Sequence, residues 1–252
     1  MPRILITGCS SGFGQAIARH FHSQGWEVVA TMRTPSPSGL PVSDRLTVLP
    51  LDVTDADSIA AAIAKAGPLD ALVNNAGVGM LNVLEGSDIA RARDVFETNV
   101  LGAMAVTRAV MPGMRAMRRG VIVNISSSVT IRPLPALSVY TASKAALNAF
   151  TESFALEAAE FGIRARLVLP GSSPETSFAR NGISRMGMTV PEPYESFVQE
   201  FFTSLRSSPE KTTTREVVEA VWRAVTEDTA PMRQAAGADA RRALREMGLA
   251  EV

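Results

Sequence analysis

Short apolar runs alternate with longer amphipathic stretches along this chain. Ile4–Ile6, Val28–Thr31, Thr47–Leu49, Leu69–Val73, Val121–Ile125 and Arg164–Leu169 are each short and apolar, the pattern of buried strands. Helical periodicity fills most of the intervals, at 13–24, 55–66, 91–115 and 139–161. It returns at 194–206, 214–226 and 238–247, the last ended by Gly248. Strand and helix in alternation predict an α/β fold, a doubly wound parallel sheet flanked by helices. One connection departs from the rhythm: residues 34–43, TPSPSGLPVS, read as a loop where a second crossover helix would otherwise lie. The stretch 171–194 is rich in Gly, Pro, Ser and Met and lacks periodicity. A loop of that length inside a compact domain is commonly functional, and 172–194 is expected to be a mobile lid. With no repeat and no linker, a single domain over 1–252 is expected, with 172–212 as its substrate-binding region.

Composition removes several classes. The 25 basic and 25 acidic residues cancel, so nothing points to a nucleic-acid partner. A lone cysteine, Cys9, excludes an internal disulfide framework and suits a reducing compartment. Cys9 itself reads as a small filler. The longest apolar runs, such as 26–32 and 121–125, fall far below the ~20 residues that span a bilayer. A strand begins at residue 4, leaving no room for a signal peptide, so a cytoplasmic protein is expected. His20 and His22 lie two apart on a helix and cannot face a common metal; they are expected on its outer surface, and no metal site is expected.

The chemistry starts at TGCSSGFG, Thr7 to Gly14, which follows the first strand and opens the first helix. Gly8, Gly12 and Gly14 allow a tight turn and close backbone approach to a diphosphate. The helix N-terminus behind them offers N–H donors and a positive dipole end. Further along, Tyr140 and Lys144 stand four residues apart, one above the other on a helix face. An ammonium beside a phenol is expected to favour the phenolate, fitting Tyr140 to give or take a proton at a carbonyl or alcohol oxygen.

The glycine spacing Gly-x-x-x-Gly-x-Gly resembles the short-chain dehydrogenase/reductase family. So do Asn74-Asn75-Ala76-Gly77, Asn99 in ETNVLGA, Tyr140-Thr-Ala-Ser-Lys144 and Pro170-Gly171, and the likeness runs from residue 4 to about 180. It implies a Rossmann-type fold and an oxidoreductase that moves a hydride between a nicotinamide cofactor and a carbonyl or secondary alcohol. Ser127, 13 residues before Tyr140, would hydrogen-bond the substrate oxygen, whereas Ser126 and Ser128 read as strand-end residues. Asn99 would hold a water joining Lys144 to solvent, though from the residues alone it reads equally as a helix kink or an exposed polar position.

The same resemblance assigns the cofactor contacts. Gly8, Ser10, Ser11, Gly12, Phe13 and Gly14 would surround the diphosphate, Phe13 standing where isoleucine is usual. Asn75, Ala76 and Gly77 would lie along the cofactor, as would Tyr140 and Lys144. Asp52, followed by Val53, would accept from the adenine amino group, although Asp52 also suits a cap for the helix near 55, a place open to Thr54 or Asp55 as well. Pro170 and Gly171 would border the nicotinamide. The threonine that usually follows the proline by five residues comes six after it, as Thr176. Either Ser172 or Ser173 could therefore meet the carboxamide, with Ser173 and Thr176 taken as contacts.

The second strand ends in VVATMR. Met32 stands where an acid selecting NAD would sit, and Arg33 could hold a 2′-phosphate, with Ser11 as a second donor; NADP(H) is therefore the expected cofactor. VATMR with TGCSSGFG resembles most the 17β-hydroxysteroid and retinol dehydrogenase branch, which implies an apolar ketone-, steroid- or retinoid-like substrate. Phe178, Met186, Met188 and Tyr194 could line an apolar pocket. Phe197, Phe201 and Phe202 have helical spacing and are expected to pack a helix onto the sheet. The alternative is a non-catalytic NADP(H)-binding regulator on the same fold, which would not need Tyr140, Lys144 and Ser127 together. A longer epimerase-like architecture lacks room in 252 residues. The resemblance also implies a homodimer or homotetramer through the helices at 91–115 and 139–161; the short apolar runs, for their part, leave no membrane span to expect.

Overall fold

The computed structural model describes residues 1–36, 39–174, 190–207 and 209–250. Its strands are β1 (Arg3–Ile6), β2 (Glu27–Met32), β3 (Leu46–Pro50), β4 (Ala71–Asn74), β5 (Gly120–Ile125), β6 (Ile163–Pro170) and β7 (Arg233–Ala236). All pair in parallel, in the order β3-β2-β1-β4-β5-β6-β7. The helices are α1 (Gly12–Ser23), α2 (Ala56–Ala66), α3 (Ile89–Phe96), α4 (Ala103–Met117), α5 (Ser138–Ala159), α6 (Glu195–Ser207), α7 (Thr214–Thr226) and α8 (Ala238–Glu246). The described residues of the β2–β3 connection contain no helix, as the prolines of 34–43 require. The chain is thus a single domain of the doubly wound, Rossmann type.

Two apolar layers cover the sheet. On one face Ile4, Ile6, Val28, Val121 and Val123 meet Ile17 and Phe21 of α1 and Val217 and Val221 of α7. On the other Leu5, Val29, Leu72 and Ile122 meet α2, Val106 and Val110 of α4, and Phe154 of α5. Each buried aliphatic side chain contributes about 1.5–3 kcal/mol, so these layers hold the fold. His20 is not on an outer surface as expected: it packs edge-on against Trp222 of α7, ring centroids 5.2 Å apart. Among the described residues no three potential metal ligands gather, and no helix is long and apolar enough to cross a membrane.

The expected helix over 91–115 is interrupted. Between α3 and α4, residues Glu97–Gly102 form a π segment, with Asn99 inside it. Such segments widen the helix locally and recur at functional sites. Strand order reverses between β1 and β4, so a crevice opens at the carboxyl ends of the strands there, the usual ligand position in this architecture. The loops after β1, β4, β5 and β6 all empty into that end of the sheet.

Candidate active site

The loop after β1 is built around glycine. Gly8 and Gly12 have φ of +74° and +58°, the left-handed region where a side chain is strained. A Cβ on Gly8 would lie 2.9 Å from Ala76 Cα, and one on Gly14 would strike Gly8 itself. Ser11 precedes α1 without a side-chain capping bond, and the first turn of α1 has no acidic residue. Its N–H groups and dipole end therefore suit an anion. Ser10 and Ser11 are exposed beside it, while Phe13 tucks against the core. Cys9 is fully buried, its thiol donating to the Ile6 carbonyl at 3.2 Å, and burial pushes its pKa up to about 12, so it is inert as a nucleophile.

Thr7 locks this loop to the turn after β4. Its hydroxyl oxygen accepts from the backbone N–H groups of Asn75 and Ala76 at 3.0 and 2.9 Å. The Asn75 amide donates back to the carbonyls of Thr7 and Gly8 at 2.8 and 3.1 Å. Asn74 turns inward instead: it donates to Asn124 on β5 at 2.8 Å, and Asn124 donates to Thr151 on α5 at 2.8 Å. A chain of buried amides and hydroxyls thus crosses the sheet beneath the site.

Ser127 and Tyr140 come together at the end of β5. The Tyr140 hydroxyl is hydrogen-bonded to Ser127, and both residues are buried. Lys144 is buried one turn along α5, its ammonium donating to the Ile125 carbonyl at 2.8 Å and lying 5.9 Å from the Tyr140 ring centroid. Burial pushes Tyr140 up to about 12, against the smaller lowering effect of Ser127, and pulls Lys144 down to about 8. The expected lowering of the phenol does not appear in the protein alone: desolvation leads on both groups, raising the phenol and lowering the amine.

Neighbouring groups fix this trio. Ser126 donates to Asn148 at 2.6 Å, so its hydroxyl is committed away from Tyr140. Asn148 donates to Thr130 at 3.0 Å, and Thr130 to the Ser127 carbonyl at 2.8 Å, holding the Ser127 turn. Asn99 is neither exposed nor idle. Its amide oxygen accepts from Val78 N–H at 2.8 Å, and its amide nitrogen donates to the Val78 carbonyl and to Ser143 at 2.9 and 3.1 Å. A Cβ on Gly77 would lie 3.1 Å from Asn99 Oδ1 and 3.6 Å from Lys144 Nζ, so the turn after β4, the π segment and α5 converge there. Val129 and Leu137, with Leu81 and Leu134, pack around Tyr140 as an apolar wall.

The flanks are uneven. Arg33 is exposed after β2, and its charge helps to lower the Asp52 carboxyl, whose main cause is the hydrogen bond from Thr54 N–H. Asp52 is not the cap of α2; Asp55 is, accepting from Asp57 and Ser58 N–H. Met32 is buried in the core, its sulfur accepting from Ser36 N–H at 3.3 Å. The Val53 side chain is buried and packs under Gly102. After Pro170, Ser172 donates its N–H to Asp239 at 2.7 Å and accepts from Thr212 N–H at 2.8 Å. Ser173 follows, partly buried, and Thr176, Phe178, Met186 and Met188 lie outside the described residues, as does most of the expected lid. Tyr194, Phe201 and Phe202 pack with Val83 and Val198, but Phe197 is half exposed and does not join them.

Sequence reasoning missed Thr7, Asn124, Asn148, Thr212 and Asp239. The asparagines Asn74, last in β4, and Asn124, next to last in β5, were a usable signal, since amides in buried strands need partners. The others act across distances in sequence that no local pattern reveals.

Comparison with known proteins agrees with this geometry. The family model for short chain dehydrogenase matches residues 2–184. Retinol dehydrogenase 8 of Homo sapiens is 35% identical over 257 residues, covering 92% of this chain and 81% of its own. A solved short-chain dehydrogenase from Streptomyces avermitilis superposes with a TM-score of 0.83 at 32% identity, covering 97% of this chain and 91% of that one. Another from Burkholderia cenocepacia, in complex with NADP, gives 0.80 at 26% identity, covering 98% and 92%. With its glycine turn, its buried tyrosine and lysine and these relatives in agreement, the chain belongs to the short-chain dehydrogenase/reductase family of oxidoreductases, on the side of its retinol-dehydrogenase-like branch.

Proposed function

We propose that this protein is an NADP(H)-dependent reductase or dehydrogenase of apolar ketones or secondary alcohols, steroid- or retinoid-like in character. The observation that carries the reading is the convergence of Ser127, Tyr140 and Lys144 beside the glycine loop, at the carboxyl ends of β1, β4 and β5. A regulator without chemistry has no use for a buried, neutral phenol hydrogen-bonded to a buried serine.

The bound cofactor supplies or accepts the hydride. Gly8, Ser10, Ser11, Gly12, Phe13 and Gly14 would hold its diphosphate; Asn75, Ala76 and Gly77 would lie along it; Asp52 and the Val53 backbone would take the adenine. Pro170, Gly171, Ser173 and Thr176 would border the nicotinamide. Both backbone groups of Ser172 are engaged within the protein, which favours Ser173 for the carboxamide. In reduction Ser127 positions the carbonyl oxygen and Tyr140 donates its proton there; in oxidation the same phenol accepts one. Lys144 holds a charge beside Tyr140 and would lie along the cofactor. The Asn99 amide is committed to Val78 and Ser143, so its backbone would be the group that holds a relay water to Lys144.

The apolar wall of Val129, Leu137, Leu81 and Leu134 supports an apolar substrate, and the relative named retinol dehydrogenase 8 points the same way. The region 172–212 would close over it. A homodimer or homotetramer through the helical stretches 91–115 and 139–161, in the cytoplasm, completes the reading; Leu101 in the first and Leu156 in the second are exposed.

The test is oxidation of NADPH and NADH across ketones, aldehydes, retinoids and steroids. Wild type should favour NADPH. Arg33→Ala should weaken NADPH by roughly 10- to 100-fold and leave NADH nearly unchanged, the worth of a charge-assisted contact. Arg33 is exposed, so its loss should not disturb folding, whereas Met32→Asp would bury a carboxylate. A wild type that favours NADH, or an unchanged cofactor ratio in Arg33→Ala, removes the assignment of Arg33.

A further inference from the structure

The segment between β6 and α7 leaves the sheet at Gly171 and returns at Thr212. Its two ends are joined. Thr212 N–H donates to the Ser172 carbonyl at 2.8 Å, and Gly171 N–H donates to the Thr212 hydroxyl at 2.9 Å and shares the Ala236 carbonyl at 3.2 Å. Thr212 is almost fully buried. A third element holds this neck. Asp239, in the first turn of α8, accepts from Ser172 N–H through Oδ2 at 2.7 Å and from the Thr212 hydroxyl through Oδ1 at 2.7 Å. The Ala236 carbonyl, 2.9 Å from that hydroxyl, is an alternative acceptor for its one proton.

Two glycines make room for the junction. A Cβ on Gly171 would fall on the Asp239 carboxylate. A Cβ on Gly237, whose φ is +107°, would fall on the Thr212 hydroxyl. Gly171 is thus needed for a contact within the protein, apart from any approach to a cofactor.

We infer that Asp239 and Thr212 are positioning residues: they clasp the neck of the 172–212 excursion and set the Gly171–Ser172–Ser173 backbone against the nicotinamide half of the cofactor. This rests on the proposed cofactor reading. The geometry carries it because Ser172 spends both backbone groups on the clasp, which fixes where Ser173 is presented. A carboxylate accepting two hydrogen bonds holds its partners more firmly than a neutral group would. The C-terminal helix, remote in sequence from every motif of the site, thereby takes part in shaping it.

The experiment compares Thr212→Val, Thr212→Ser and Asp239→Asn with wild type in the full chain. Affinity is measured for NADPH and for 2′,5′-ADP, which keeps the adenosine half and lacks the nicotinamide. Thr212→Val and Asp239→Asn should weaken NADPH by roughly tenfold and leave 2′,5′-ADP within about twofold, since losing one charge-assisted hydrogen bond of the clasp loosens only the backbone that would meet the nicotinamide end. Thr212→Ser, which keeps the hydroxyl, should bind both like wild type. Hydrogen exchange at the Gly171 and Ser172 amides should rise in Asp239→Asn without ligand. The inference is overturned if both ligands weaken together, if neither changes, or if Thr212→Ser behaves as Thr212→Val. A wild type that binds neither NADPH nor NADH removes the cofactor reading itself, and the clasp's role with it; variants that change nothing in a binding-competent wild type remove only the clasp.

Discussion

Helices α5 and α7 press on opposite faces of one sheet and are built on contrary plans. The inward face of α7 is apolar throughout, with Val217, Val218, Ala220, Val221, Ala224 and Val225 buried. A capping box between Thr213 and Glu216 starts it, and Arg215–Glu219 and Arg223–Glu227 pairs line its outside. The buried stripe of α5 instead carries Tyr140, Ser143, Lys144, Asn148 and Thr151 with only Leu147 apolar among them, before Phe154 and Ala158. Every polar group in that stripe has a bond: Ser143 to the Tyr140 carbonyl, Lys144 to the Ile125 carbonyl, Asn148 to Thr130, Thr151 to the Leu147 carbonyl. Buried polar groups are costly when unpaired and rigid when paired. The fold therefore places most of its cohesion on one helix and most of its chemistry on the other.

That division can be broken by substitution. Tyr140→Phe removes one hydroxyl from α5. Turnover should fall by roughly 10²–10⁴, the usual worth of general acid–base catalysis, with the unfolding midpoint in denaturant almost unmoved. Turnover above a tenth of wild type, on a substrate the wild type reduces well, would take the proton-donor role from Tyr140.

The pH profile sharpens the comparison next. Lys144 is lowered to about 8 and Tyr140 raised to about 12, both chiefly by burial. In reduction, kcat/KM should therefore fall above about pH 8, approaching tenfold per unit, as Lys144 loses its charge while Tyr140 stays protonated. The limb should vanish from the residual activity of Lys144→Arg; its persistence there would assign it to another group. Stability moves the other way in the same range. Between about pH 8 and the ordinary 10.5 the unfolded chain binds the Lys144 proton more than the folded one, so this group adds stability as pH rises and takes it away as pH falls through about 8.

The smallest effect on catalysis is expected from α7. Val221→Ala empties space in a fully buried position and should cost about 2 kcal/mol of unfolding free energy, read from denaturant titration, with kcat within twofold of wild type. A large loss of turnover without loss of stability would show that the two helices are not so separate.

Much of this was legible in the chain. Six strands announced themselves because parallel strands buried on both faces are runs of Val, Ile and Leu. The seventh, Arg233–Ala236, did not: RQAA has no β-branched residue and is a strand only because β6 offers it a partner. The Tyr140–Lys144 spacing and the glycine loop could be read because each depends on one local geometry. The acidity of Tyr140 could not, because burial is a property of the whole fold. Asp239 and Thr212 were invisible for a related reason. Their meaning lies in a contact with Ser172, and nothing around either residue in sequence announces it. The resemblance to the family supplied Ser127, whose geometry beside Tyr140 the structure then displays.

The π segment at Glu97–Gly102 has a consequence for insertions and deletions. A π turn accommodates one residue more than a regular α turn in the same span. Removing a single residue from 97–102 would let α3 and α4 fuse into one straight helix, locally the more ordinary conformation. The flanking helices would keep nearly their present phase, because the π turn already takes up that residue, but the widened turn that lets Asn99 reach both Val78 and Ser143 would be lost. A one-residue deletion from 97–102 should therefore spare the two helices and cost the contacts of Asn99, the side chain that this turn exists to present.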